Sequence, residues 1–157
     1  MSDFIGRYLN KVDKKGRVSV PASWRPKLIG QSFSGIIAQS SLVERTIDAF
    51  PKEYLELLQS KLDLNDPLLE QNEYESTIIF GGSVLSFDNE GRVVLPEIFK
   101  TEADINVEAL FVGMGRRFRI WNPSNFSKYI VKARINRLKY LKSILPDDED
   151  LNKIHFD

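Results

Sequence analysis

The segment VDKKGRVSVPASW, residues 12–24, returns as FDNEGRVVLPEIF at residues 87–99. With Gly16 set against Gly91, an apolar residue, Asp, Gly, Arg, Val, a further apolar residue, Pro and an aromatic fall in the same order. Each copy is followed by another apolar stretch, an aromatic and an amphipathic helix. Ile47-Asp-Ala-Phe50 leads into Pro51-Lys-Glu-Tyr54, and Phe118-Arg-Ile-Trp121 leads into Pro123-Ser-Asn-Phe126. Self-similarity of this kind marks a tandem duplication of a unit of roughly 45 residues, with helices between and after the copies.

Within a unit, Arg7–Val12 alternates weakly and Val18-Ser-Val20 is β-branched, so both read as strands. Asp-x-x-Gly between such runs is a tight reversal, because the aspartate caps its own turn and glycine takes positive φ. Pro21 and Pro96 end the strands and open short helical turns over Ala22–Leu28 and Glu97–Lys100. Gly35–Ala38 and Ala109–Val112 read as the next strands, followed by Thr46–Phe50 and Arg117–Trp121. The spacing of Tyr54, Leu55, Leu58 and Leu62 predicts a helix over Pro51–Leu62. Asp66-Pro67 reads as N-cap and first residue of a helix that reaches Phe80 and stops at Gly81-Gly82. Asn122-Pro123 opens the longest helix, with Phe126, Ile130, Ala133, Leu138, Leu141 and Leu145 as its buried stripe and Pro146 as its end. From Asp147 onward the expectation is an acidic, mobile tail.

The fold class expected is α+β, mainly β. A sheet unit this small cannot bury its own edges. Two copies lending strands to each other would form a closed pseudo-symmetric barrel. The boundaries expected are a first unit at 7–54, connecting helices at 55–82, a second unit at 83–126, a C-terminal helix at 127–146 and the tail at 147–157.

A formal net charge of zero hides strong segregation. Residues 1–30 carry seven Lys/Arg against two acids, and residues 113–146 carry nine Lys/Arg and no acid. Between them, residues 42–75 hold three bases and nine acids. Solvated helix faces account for one such block, whereas two basic blocks, each attached to a copy of the turn, point to an anionic partner. The absence of cysteine excludes a disulfide scaffold, a thiolate zinc site and a cysteine nucleophile. The start lacks the apolar core of a signal peptide and no stretch approaches the roughly 20 apolar residues of a membrane span, so a cytosolic protein without a membrane partner is expected.

Catalytic and metal constellations fail on chemistry. His155 stands in the polar tail without a second histidine or a cysteine. Gly113-Met-Gly115 lacks the third glycine of a dinucleotide loop, since Phe118 occupies that position. No serine sits in a nucleophile-elbow context. The expectation is therefore no enzyme, no cofactor, no metal and no small-molecule substrate.

The Gly-Arg turns are the candidate site. Arg17 on a hairpin tip, with Lys14 and Lys15 beside it, suits the edge of a guanine: an arginine reads O6 and N7 bidentately, while lysines hold phosphates without reading sequence. Lys11 and Arg7 extend the basic strand, and Asp13 and Gly16 set the turn. The alternative is that Asp13 pairs with Arg17 and merely fixes the turn geometry. Arg92 is the weaker candidate, because Asp88 and Glu90 flank it. Arg117 and Arg119 are placed on one face with Trp121, as a cation–π contact or as a solvated rim.

These segments, with Phe4-Ile-Gly-Arg7 and Phe111-Val-Gly-Met-Gly-Arg-Arg-Phe-Arg-Ile-Trp121, resemble the MraZ family of transcriptional regulators, built from tandem SpoVT/AbrB-type units. The resemblance runs from near the N-terminus to about residue 145. It implies swapped-hairpin β-barrel units, assembly of protomers into a ring homo-oligomer, and binding of double-stranded DNA. The DNA implied is a set of short G-rich direct repeats upstream of the division and cell-wall gene cluster, bound by a repressor associated with the nucleoid. The family's DNA-binding arginine maps onto Arg17. Asp48 departs from the family's apolar pattern, and Arg116 and Arg119 stand where Asn and an acid are common. The alternative implied by the wider fold family is a protein-interaction module of antitoxin type.

Overall fold

The computed structural model describes residues 3–41 and 43–154; His155 lies outside them. Residues up to Asn125 form one compact unit, and those from Phe126 onward form a second.

In the first unit the chain runs β1 (Arg7–Lys11), β2 (Arg17–Ser19), a 3-10 turn (Arg25–Leu28), β3 (Gly35–Ser40), β4 (Ile47–Phe50), α1 (Lys52–Asp63) and α2 (Glu70–Phe80). The second copy follows as β5 (Ser83–Ser86), β6 (Arg92–Val94), α3 (Glu97–Glu102), β7 (Glu108–Gly113) and β8 (Phe118–Trp121). Six strands make one antiparallel sheet in the order β1-β7-β8-β4-β3-β5, and β2 pairs with β6 in a separate ribbon. Exchanging each strand with its repeat partner (β1 with β5, β2 with β6, β3 with β7, β4 with β8) returns the same order reversed. The registers obey the exchange as well: Lys11↔Glu108 corresponds to Ser86↔Gly35, and Arg17↔Val94 to Arg92↔Ser19.

The closed barrel expected from the sequence is not formed. β1 and β5 remain outer strands of an open sheet, because Val12 and Phe87 lead straight into the turns that carry the chain off the sheet and into the ribbon. Between ribbon and sheet lies the core. Val18, Val20, Val93 and Leu95 supply the ribbon side, each at most 2% exposed. Phe4, Trp24, Phe111 and Phe118 form an aromatic cluster with edge-on and tilted contacts, the tightest being Trp24–Phe118 with centroids 4.9 Å apart. Trp24 satisfies its indole N–H on the Ile5 carbonyl at 3.1 Å, as a buried Trp requires.

Several local expectations are corrected. Strand β5 was not anticipated. Asp66 does cap a turn, accepting from Leu68 N at 2.9 Å, but regular helix begins only at Glu70. Helix α4 (Pro123–Arg137) ends well before Pro146: i→i+3 bonds through Lys139 and Tyr140 interrupt it before α5 (Leu141–Ile144). Leu138 is 73% exposed and Leu145 51%, because Leu138 is out of helical phase with Ile130 and Ala133. The tail is not featureless. Residues Asp148–Asn152 form α6, capped by a reciprocal box in which Asp150 N donates to Asp147 Oδ1 and Asp147 N to Asp150 Oδ2; acids in a first helical turn are favoured by the helix dipole.

Arg119 is no solvated rim. It is opposite Asp48 where β4 meets β8, both residues are 7% exposed, and Nε donates to Oδ1 at 2.8 Å. Arg117 Nη1 lies 3.9 Å from the other carboxylate oxygen. All of β8 is buried, so alternation there separates two covered faces instead of a wet one and a dry one. Asp48 and Arg119 thus answer each other across one strand pair.

Breaking this pair on one side strands a buried charge. Asp48→Val or Arg119→Leu alone is expected to cost about 3–5 kcal/mol, read as a lowered urea midpoint, while the double variant recovers most of the loss.

Candidate nucleic-acid interface

Each Asp-x-x-Gly-Arg turn is built around one carboxylate. Asp13 Oδ1 accepts from Lys15 N and Arg17 N, both at 2.9 Å, and Oδ2 accepts from Arg17 Nε at 2.6 Å. Backbone bonds Gly16 N to Asp13 O and Asp13 N to Arg17 O, each 3.0 Å, close the reversal. The second copy repeats every contact: Asp88 Oδ1 accepts from Glu90 N at 2.9 Å and Arg92 N at 3.0 Å, and Oδ2 from Arg92 Nε at 2.8 Å. Gly16 and Gly91 have φ of +82° and +75°, which only glycine adopts without strain. The Arg17 backbone N–H, opposed by desolvation and helped by the guanidinium and the Lys15 N–H, holds the Asp13 carboxyl below its ordinary pKa. Asp88 is lowered in the same way, its Arg92 backbone bond first.

Beyond the turns the ribbon sets the faces. Arg17 is opposite Val94 and Ser19 is opposite Arg92, so these four side chains share one face, while Val18 and Val93 point into the core. Arg17 and Arg92 are diagonal neighbours, roughly 7–8 Å apart by ladder geometry. Asp13 also raises the pKa of Arg92 through space, after the larger effects of Asp88 and Glu90. Arg17 therefore does not swing freely. Its side chain is 34% exposed, and the carboxylate occupies its Nε edge. Among the described residues no hydrogen-bond partner is found for its two terminal nitrogens, the pair that a bidentate contact uses.

The two turns differ in their surroundings. Lys14 and Lys15 are exposed at the first. The second carries exposed Asn89 and Glu90, and Glu90 sits 3.5 Å from Arg92 Nη1. It is also covered by Arg25, which donates to the Glu90 carbonyl at 3.4 Å and would lie 2.0 Å from a Cβ on Gly91. The position matching Arg25 is Lys100, which pairs with Glu97 at 3.4 Å. Arg25 was absent from the sequence candidates, since its approach to the second turn joins residues 65 positions apart.

Of the remaining candidates, Lys11 is exposed two residues before Asp13, and Arg7 is exposed at the far end of β1, about 13 Å away along the strand. Arg116 pairs with Glu53 at 3.5 Å beside a groove of about 200 Å³ whose other cation, Lys27, faces Asp3 at 3.9 Å. Among the described residues no three His, Cys, Asp or Glu gather as a metal site, and no helix is long and apolar enough to cross a membrane.

The family model described as "MraZ protein, putative antitoxin-like" matches residues 78–142. The protein named transcriptional regulator MraZ of Rickettsia canadensis is 44% identical over 85% of this chain and 91% of its own length. Those of Rickettsia africae and Rickettsia typhi are 43% and 42% identical over the same shares. The repeated turns, the interleaved strands and this agreement along most of the sequence converge: the chain belongs to the MraZ family of transcriptional regulators.

Proposed function

We propose that this protein represses transcription by inserting the β2–β6 ribbon into the major groove of G-rich direct repeats upstream of its own division and cell-wall operon. The observation that carries the reading is the Asp13-clamped Arg17 on the outer face of that ribbon. A two-stranded ribbon fits the major groove, and a guanidinium whose Nε edge is already occupied offers its terminal nitrogens to O6 and N7 of a guanine. Lys14 and Lys15, with Lys11 and Arg7 further back, contact phosphates and set register. Gly16 holds the turn, and Arg92, flanked by Asp88 and Glu90 on a turn covered by Arg25, contributes less.

On this reading the repeated segments 7–54 and 83–126 are swapped-hairpin units of SpoVT/AbrB type, with 55–82, 127–146 and 147–157 as appended segments. Protomers assemble into a ring, so modest contacts at each first turn combine on spaced repeats through effective concentration. The place of action is the nucleoid.

Gel shifts at several salt concentrations, on repeat DNA and on a shuffled duplex, separate these roles. Arg17→Ala is expected to cost about 1–3 kcal/mol per contact on the repeats and little on the shuffled duplex. Unchanged affinity for the repeats would remove Arg17 as the reader. Lys14→Ala and Lys15→Ala should weaken both duplexes alike, each reducing the salt slope by about 1. Asp13→Asn keeps the two backbone acceptor bonds but loses the charge that fixes Nε; the expected result is a folded protein with a specificity loss smaller than that of Arg17→Ala.

A further inference from the structure

Two exposed surfaces of opposite charge lie outside the ribbon, and each carries apolar side chains. Residues 62–80, covering the tip and second arm of the α1–α2 hairpin, hold five acids and no base. Leu64, Leu68, Leu69 and Tyr74 stand there 81%, 90%, 52% and 60% exposed. Residues 126–146 hold six bases and no acid. Along α4, Val131 and Ile135, one turn apart, and Leu138 just beyond the helix are 56%, 63% and 73% exposed. Helical spacing puts Lys128 and Arg134 on the two flanks of that stripe.

We propose that the acidic α1–α2 tip of one protomer seats on the basic α4–α5 segment of a second copy of this chain. The contact is head-to-tail, and it rests on the assembly reading above. Two features favour a second copy over DNA as the occupant of the basic helix. Phosphates need the cations but not the Val131–Ile135–Leu138 stripe, whereas the hairpin tip offers leucines and acids together. The side chains named are exposed on their own units, which leaves both faces open to a partner. A surface pair that is complementary, not self-complementary, generates rings or open filaments according to whether the rotation closes.

The test is native mass spectrometry of the full chain, with circular dichroism to establish folding and gel shifts in parallel. Glu73→Lys with Glu75→Lys, and separately Arg134→Glu with Arg137→Glu, should each weaken self-association at least tenfold and yield small species. All four reversals in one chain should restore the wild-type mass. Leu68→Ser, in the turn before α2, should weaken assembly without altering charge and serves if a reversal variant fails to fold. Single-face variants that keep the wild-type mass overturn the proposal while leaving the assembly reading intact. So does a basic-face variant that keeps its mass but loses DNA affinity with a shallower salt slope, which assigns the helix to phosphate. A wild-type protein that stays a single protomer at every salt concentration removes the assembly reading, and this contact with it.

Discussion

One carboxylate accepting two backbone N–H groups and one guanidinium, used twice, determines the rest of this architecture. The Asp13 and Asp88 clamps turn the chain sharply off the ends of β1 and β5. That turn lets three-residue strands exist at all, since β2 and β6 are too short to hold themselves and, among the described residues, have only each other as ladder partners. The ribbon so formed lies over the sheet and seals the core with Val18 and Val93. The same three bonds aim Arg17, so the turn that shapes the fold also fixes the direction of its guanidinium.

Duplication explains how identical geometry comes to sit in unequal surroundings. Both turns share their bonds to within about 0.2 Å, yet the first is surrounded by Lys14 and Lys15 and the second by Asn89, Glu90 and the overlying Arg25. Arg25 reaches across from the first copy, while its counterpart Lys100 stays with Glu97 on its own helix. The asymmetry therefore resides in the side chains around the clamp and not in the backbone. The ribbon has one basic end and one covered end.

The turns, their glycines and the strands around the first of them were legible because that chemistry is local: an aspartate three residues before a glycine favours the same reversal in both copies. The helix over 52–63 was legible from its leucine spacing. What escaped was set by distant partners. Ser83-Val-Leu-Ser86 alternates too briefly to announce a strand; it is one because β3 offers Gly35, where the Leu85 carbonyl would lie 2.0 Å from a Cβ. Arg119 reads from its own segment as a cation–π contact or a solvated rim, and Asp48 as a charge in an apolar run, since nothing within either segment says that a charge of opposite sign will face it from 71 positions away. Closure into a barrel failed for a related reason. Pairing partners follow from the repeat, but whether the outer strands meet does not.

The interleaving of the two copies also bears on how the chain is made. Among the described residues β1 finds its ladder only in β7, at Arg7↔Val112, and β2 only in β6. Neither half can complete its hydrogen bonding while the other is still inside the ribosome. Nascent protein thus waits with two unsatisfied strands until the codons for β7 have been read, and loop closure over that length makes the search slow. Translation pauses or truncations late in the message would release edge-bearing intermediates, the species most prone to associate wrongly.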